Sequence, residues 1–215
     1  MPTIAVIDYG MGNLRSVTKA LEHVAGVNDK VILTASHEQV AAADKVVFPG
    51  QGAARDCVLA IDEHALRETI TEAARNKPFL GICMGMQVLV ERSEENGGTN
   101  LLGLFPGEVA YFGDHLSDAS GQRLKVPHMG WNQVHQTRPH ALWSGIDNDS
   151  RFYFVHSYYL RTEAPELEVG HCQYGKSFTC AIAHDNVFAL QCHPEKSAEA
   201  GLRLLKNFVE WNGQS

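Results

Sequence analysis

The run Phe79-Leu80-Gly81-Ile82-Cys83-Met84-Gly85-Met86-Gln87 concentrates more chemistry than any other stretch of this chain. An apolar segment that reads as a buried strand ends at a cysteine, with a glycine two positions to either side, and a helical pattern begins directly after. That is the nucleophile-elbow pattern G-x-Nu-x-G with Cys as the nucleophile. So tight a turn needs glycine where side chains would collide, and it exposes the central side chain. The start of a helix supplies partial positive charge, which favours thiolate over thiol. The backbone N–H of Met84 points where an oxyanion would form. The same pentapeptide also suits a small core cysteine packed between two glycines.

A thiol nucleophile needs a base, and His193 is the best placed of the eleven histidines. Residues 187–191 read as a strand, with Cys192-His193-Pro194-Glu195 at its C-terminal end. Open α/β sheets carry their sites at the carboxyl ends of strands, so Cys83 and His193 can share one rim. Pro194 stiffens the turn, and Glu195 can fix the tautomer and orientation of the imidazole. His-Pro-Glu alone occurs by chance in loops; its weight comes from the elbow cysteine before it. A second glycine-rich turn, Pro49-Gly50-Gln51-Gly52, follows another apolar run and suits a second oxyanion donor. No Gly-Lys-Ser/Thr follows it, which rejects a phosphate loop. Gly10-Met11-Gly12 is half of a dinucleotide fingerprint, but Arg15 stands where the third glycine belongs, which argues against a nucleotide site.

These residues need a sheet to hold them. Residues 3–8, 30–33, 45–48 and 79–82 read as short buried strands. Between them lie an Ala-rich stretch over 38–43 and helical patterns: one capped by Asn13 with Leu14, Val17, Leu21 and Val24 at helical spacing, then residues 55–61, 63–75 and 84–92. Beyond Gly107 the apolar pieces shorten, at 108–112, 131–134, 152–155, 167–171, 178–183 and 187–190, and suit antiparallel strands. Ser197 caps a last helix with Leu202, Leu205, Phe208 and Val209 on one face. Residues 114–121 are the best candidate for a mobile loop. The expected fold is α/β, a single domain over residues 1–215 with a mostly parallel central sheet flanked by helices and antiparallel strands added in the second half.

Composition narrows the function. Hydrophobic residues at 44% and charged ones at 20% describe an ordinary globular chain, long enough for a full core without disulfides or metals. Eighteen Lys and Arg against 25 Asp and Glu give a net charge of −7, which argues against nucleic acid as a partner. No apolar stretch is long enough to span a membrane, and the opening residues carry no basic leader, so a cytoplasmic protein is expected. Cys57, Cys83, Cys172, Cys180 and Cys192 are odd in number and irregular in spacing, against a disulfide framework. His171, Cys172, Cys180, Cys192 and His193 lack zinc-ligand spacing, so neither metal nor cofactor is expected.

Taken together, Gly-Ile-Cys83-Met-Gly-Met-Gln87, Pro49-Gly-Gln-Gly52 and His193-Pro-Glu195, in this order, resemble the class I glutamine amidotransferases over essentially the whole chain. Asp8-Tyr-Gly-Met-Gly-Asn-Leu14, Ser93-Glu-Glu95, Pro127-His-Met-Gly-Trp-Asn132, Phe152-Tyr-Phe-Val-His-Ser-Tyr158 and His193-Pro-Glu-Lys-Ser197 narrow the resemblance to the histidine-biosynthesis branch of that family. The resemblance implies a Cys83-His193-Glu195 triad that hydrolyses glutamine through a thioester. The oxyanion would be held by Met84 and the Gly50, Gln51, Gly52 loop. Gln87, Glu95, His156, Ser157 and Tyr158 would bind the α-amino and carboxylate groups. Ammonia would pass to a (β/α)₈-barrel cyclase partner, with Asn13, Trp131 and Lys196 on the partner side.

Two residues depart from the family pattern: Gln51 replaces a small aliphatic residue and Cys192 an aromatic one. Neither removes a triad atom. By residue type alone, Trp131 also suits packing, Lys196 a surface charge, and His156 and Tyr158 a half-buried strand end. A free-standing cysteine hydrolase or peptidase accounts for Cys83 and His193 but not for the segments outside the triad. A binding module with a dead site sits poorly with three intact triad residues.

Overall fold

Along β1 (Thr3–Ile7) successive side chains enter two different cores. Ile4 and Val6 pack into one hydrophobic cluster, Ala5 and Ile7 into the other. A strand buried on both faces belongs inside a sheet covered on both sides. In the computed structural model, which describes residues 1–214, β1 pairs in parallel with β2 (Lys30–Thr34) and β3 (Lys45–Gly50). Next to β3 lies β4 (Phe79–Cys83), again parallel. On one face of this sheet pack α1 (Leu14–Val24), through Val17 and Leu21, and the last helix. On the other pack α2 (His37–Ala42), α3 (Ala54–Glu63) and α4 (Arg67–Asn76), through Val40, Ile61 and Ile70.

The chain then departs from the expected helix over residues 84–92. Only α5 (Met84–Gln87), one turn, forms, and β5 (Val90–Ser93) follows. Backbone bonding decides this: the carbonyls of Val88, Leu89 and Val90 accept from Leu102, Leu104 and Gly103, so they are taken by a neighbouring segment rather than by a helical ladder. After β6 (Thr99–Asn100) comes β7 (Phe105–Tyr111), which pairs antiparallel with residues 158–161, as its short apolar character indicates, and parallel with β5 on its other side. The remaining strands are β8 (His128–Gln136), β9 (Ser150–His156), β10 (Tyr158–Arg161), β11 (Glu168–Tyr174), β12 (Lys176–His184) and β13 (Val187–Leu190). Strand β13 is the seam: antiparallel to β12 on one side, parallel to β4 on the other. The antiparallel pairing expected for 187–190 is therefore present, with a parallel one beside it. The sheet runs β2-β1-β3-β4-β13-β12-β10-β7-β5-β6, with β11, β8 and β9 branching from β12.

Two expected caps also act differently. Asn13 and Ser197 occupy N-cap positions of α1 and of α6 (Ala198–Glu210), yet neither side chain makes a capping bond. The Ser197 hydroxyl instead donates to the His193 carbonyl at 2.6 Å and accepts from Tyr153 N–H at 2.9 Å. The stretch expected as one helix over 63–75 begins only at Arg67, because the chain turns through Ala65 at φ 54°. In residues 114–121 the Asp118 carboxylate accepts from the N–H groups of Ser120 and Gln122.

Candidate active site

Cys83 closes β4 and opens α5 with φ 56° and ψ −108°, a conformation that costs a non-glycine residue roughly 1–3 kcal/mol. Close packing holds it there. A Cβ on Gly85 would lie 1.8 Å from the Phe48 carbonyl oxygen, and one on Gly81 would lie 2.8 Å from the Gly85 carbonyl oxygen. The elbow therefore needs both glycines for room. Because α5 is a single turn, the long aligned dipole expected beside Cys83 is reduced to the free N–H groups of that turn, Met84 included. Gly50 is in register with Cys83 across the β3–β4 pair, which sets the 50–52 loop beside the sulfur.

Strand β13 delivers the base. Leu190 pairs with Ile82, so the residues that follow pass Cys83. His193 is 2% exposed, and its Nδ1 bonds Glu195 Oε1 at 2.9 Å. With Nδ1–H given to the carboxylate, Nε2 is the atom left for chemistry, and it has no hydrogen-bond partner in the structure. Burial pulls the imidazole towards neutrality, but the Cys83 sulfur and the hydrogen-bonded Glu195 carboxylate outweigh it and hold its pKa well above the ordinary value. The backbone is pinned as well, by His193 N–H donating to the Tyr153 carbonyl at 2.9 Å and by Ser197.

A cavity of about 500 Å³ opens over the sulfur, and its wall includes Gln51, Gly52, Cys83, Met84, Gln87 and Glu95. His156, Ser157, Tyr158, His193 and Lys196 complete it, together with Pro127, Tyr153 and Val155. Gly50, Glu195, Asn13 and Trp131 do not line it; Glu195 reaches it through its bond to His193. A larger cavity of about 740 Å³, lined by Glu91, Glu108 and Arg161 among others, holds none of the predicted residues. Glu95 Oε2 accepts from Ala54 N–H at 2.7 Å, leaving the other carboxylate oxygen. His156 is fully engaged: Nδ1 donates to the Tyr158 carbonyl at 2.8 Å, and Nε2 meets His128 Nδ1 at 2.9 Å. Burial pushes His128 down to about 4 and His156 to about 3, so both rings are neutral and their tautomers follow from the carbonyl contact.

Residues 5–211 match the family Glutamine amidotransferase class-I. The chain belongs to that family. Among its relatives this amidotransferase is 60% identical over 210 residues to an imidazole glycerol phosphate synthase subunit HisH of Thiobacillus denitrificans, covering 97% of this chain and 91% of that one. A protein of the same name from Dechloromonas aromatica is 61% identical over 212 residues, covering 97% and 96%. In fold the amidotransferase resembles a solved glutamine amidotransferase structure with a TM-score of 0.70 at 16% identity, covering 96% of this chain and 97% of that one. PurLQS from Thermotoga maritima gives 0.67 at 19% identity, covering 97% and 98%.

Two residues of this amidotransferase site escaped sequence reasoning. Tyr153 stands at the mouth, its ring 5.8 Å from Lys196 Nζ and 6.3 Å from the Trp131 ring. Gln191 donates to Cys83 Sγ at 3.6 Å. The second had a signal, since Gln191 is two residues before His193 and shares its side of an extended backbone. The first had no signal of its own, because Trp131 comes from β8 and Lys196 from the turn after β13.

Proposed function

We propose that this chain hydrolyses glutamine to glutamate and ammonia as the glutaminase subunit of an imidazole glycerol phosphate synthase in histidine biosynthesis. The observation that carries this reading is the buried His193–Glu195 pair with a free Nε2 beside an elbow cysteine. High identity to proteins named as that subunit supports the choice of glutamine and of a partner subunit.

Cys83 Sγ, its proton taken up by His193 Nε2, attacks the side-chain amide carbon of glutamine, and the carbonyl pair moves to oxygen. N–H groups of Met84 and of the Gly50-Gln51-Gly52 loop receive that oxyanion. The tetrahedral intermediate collapses, the C–N bond breaks, and His193 gives its proton to the departing nitrogen, releasing ammonia and leaving a thioester. Water, losing a proton to His193, then attacks the thioester, and glutamate leaves as the C–S bond breaks. Glu195 keeps Nε2 aimed throughout. The free oxygen of Glu95 suits the substrate's ammonium. Ser157 and Tyr158 take the carboxylate end, Gln87 and His156 contributing through their hold on the Tyr158 backbone, because both amide hydrogens of Gln87 and both nitrogens of His156 are occupied.

Free ammonium in water is a poor nucleophile, so the product needs a sheltered route to its user. A (β/α)₈-barrel cyclase is the proposed partner, contacted through Asn13, Trp131 and Lys196, with residues 1–215 acting as one domain in the cytoplasm. Replacing Cys83 by Ala tests the division of labour. The complex should lose glutamine-dependent synthesis while synthesis from added ammonium salt persists. Failure of ammonia to rescue the variant would show that Cys83 serves some other step.

A further inference from the structure

Gln191 is fully buried at the end of a strand whose other members, Val187 to Leu190, are all apolar. A buried primary amide is costly unless its polar atoms are bonded, and both ends of this one are. Its Oε1 accepts from Gln87 Nε2 at 2.8 Å, and its Nε2 donates to Cys83 Sγ at 3.6 Å. Gln87 is anchored in turn, because the same Nε2 donates to the Tyr158 carbonyl at 3.1 Å. That carbonyl can only accept, so the Gln87 NH₂ end is fixed, its second hydrogen meets Oε1 of Gln191, and the Gln191 N–H is left facing the sulfur.

We propose that Gln191 is a positioning residue for the glutaminase reaction, its side-chain N–H holding the Cys83 sulfur in place for attack on the substrate carbonyl. The proposal rests on the glutaminase reading above. Three features support it. Gln191 and His193, two residues apart, reach the same side of the chain, while Cys192 between them is directed into the apolar core. The single turn of α5 offers Cys83 little helix dipole, which raises the weight of a local donor. In the second half of the reaction the C–S bond breaks with its electron pair going to sulfur, and the same N–H stabilises the departing thiolate before His193 returns the proton.

Gln191→Met keeps the volume and removes the N–H; Gln191→Asn keeps the amide but withdraws it by one methylene. Each is prepared as the full chain in complex with the cyclase. Three readouts follow: glutamine turnover, synthesis from ammonium salt, and the rate at which iodoacetamide alkylates Cys83 at fixed pH, read by mass spectrometry of its peptide. The Met variant should lose roughly 10- to 100-fold in kcat, the worth of a hydrogen bond to a charged group. Its KM should stay within about twofold, alkylation should slow, and ammonia-dependent synthesis should persist. The Asn variant should move the same way by less. Wild-type kcat and alkylation rate in a variant that still uses ammonia overturns the proposal, as does a loss confined to KM. Should the Met variant fail to fold, seen as loss of its cooperative thermal melt and of co-purification with the cyclase, the Asn variant decides alone. A wild-type complex that never hydrolyses glutamine sinks the glutaminase reading instead, and the alkylation comparison still judges the Gln191 contact.

Discussion

Three histidines near one cavity are driven to different protonation states by their neighbours. Burial alone pushes His128 down; at His156 burial leads, and repulsion from His128 and His193 adds to it against the bond to the Tyr158 carbonyl. At His193 burial works in the same direction, but the Cys83 sulfur and the Glu195 carboxylate outweigh it and raise the imidazole from 6.5 to about 10. A histidine whose folded value exceeds its unfolded one binds an extra proton in the folded state. Its stabilisation is complete below pH 6.5 and is lost as pH rises through about 10. Wild type should therefore be more stable than His193→Asn near neutrality, and the difference in Tm should shrink steadily towards pH 10. Thermal melts across that window check it, and a gap that stays constant contradicts the assignment. Cys83, His193 and Glu195 were legible in the sequence because each sits in a short motif at a strand end. Gln191 was hidden because its partners, Gln87 and Cys83, lie 104 and 108 residues away, and only the sheet register joins them.

At the scale of elements, the elbow depends on how closely β3, β4 and α5 approach. Phe48 sits in β3, and its carbonyl oxygen occupies the space a Gly85 side chain would need. Backbone cannot swing aside as a flexible side-chain tip can, so Gly85→Ala forces strand and turn apart. That substitution should destabilise the protein by roughly 3 kcal/mol and disturb Cys83 at once. Urea unfolding reads the first effect and loss of Cys83 alkylation the second; a fully stable, fully reactive Gly85→Ala protein refutes the packing argument. The parallel strands β1 to β4 were readable because each is a β-branched or aromatic run bounded by turn residues. Strand β5 was not, since Val88, Leu89 and Val90 continue a helical apolar pattern from Met84, and only pairing with residues 102–105 overrides it. The same limit hid β13's double role. An all-apolar Val187–Leu190 fits a parallel or an antiparallel neighbour equally, and it has one of each.

Across the whole molecule the cavity lies where two kinds of sheet meet: the carboxyl ends of the parallel strands β3, β4 and β13 supply one wall, and the β9–β10 connection supplies the other. Beside its mouth, Trp131 packs against Tyr153, which lines the cavity. Trp131 and Met129 are two apart on β8 and therefore on one face, and they are 46% and 62% exposed. The other large hydrophobic side chains exposed among the described residues, Met1, Val27, Leu33 and Leu59, come from separate parts of the chain. On the proposed function, an apolar pair at the rim of a site whose product is handed on is where the proposed cyclase partner gains most by docking. Exposed tryptophans in such a position commonly dominate binding energy, at about 2 kcal/mol or more on truncation. Trp131→Ala should therefore weaken association with the cyclase by roughly 30-fold. Because the indole is half in solvent, the fold should survive its loss. Isothermal titration against the purified cyclase, alongside circular dichroism of the variant, measures both quantities, and an affinity unchanged within about twofold would place the docking face elsewhere on the molecule.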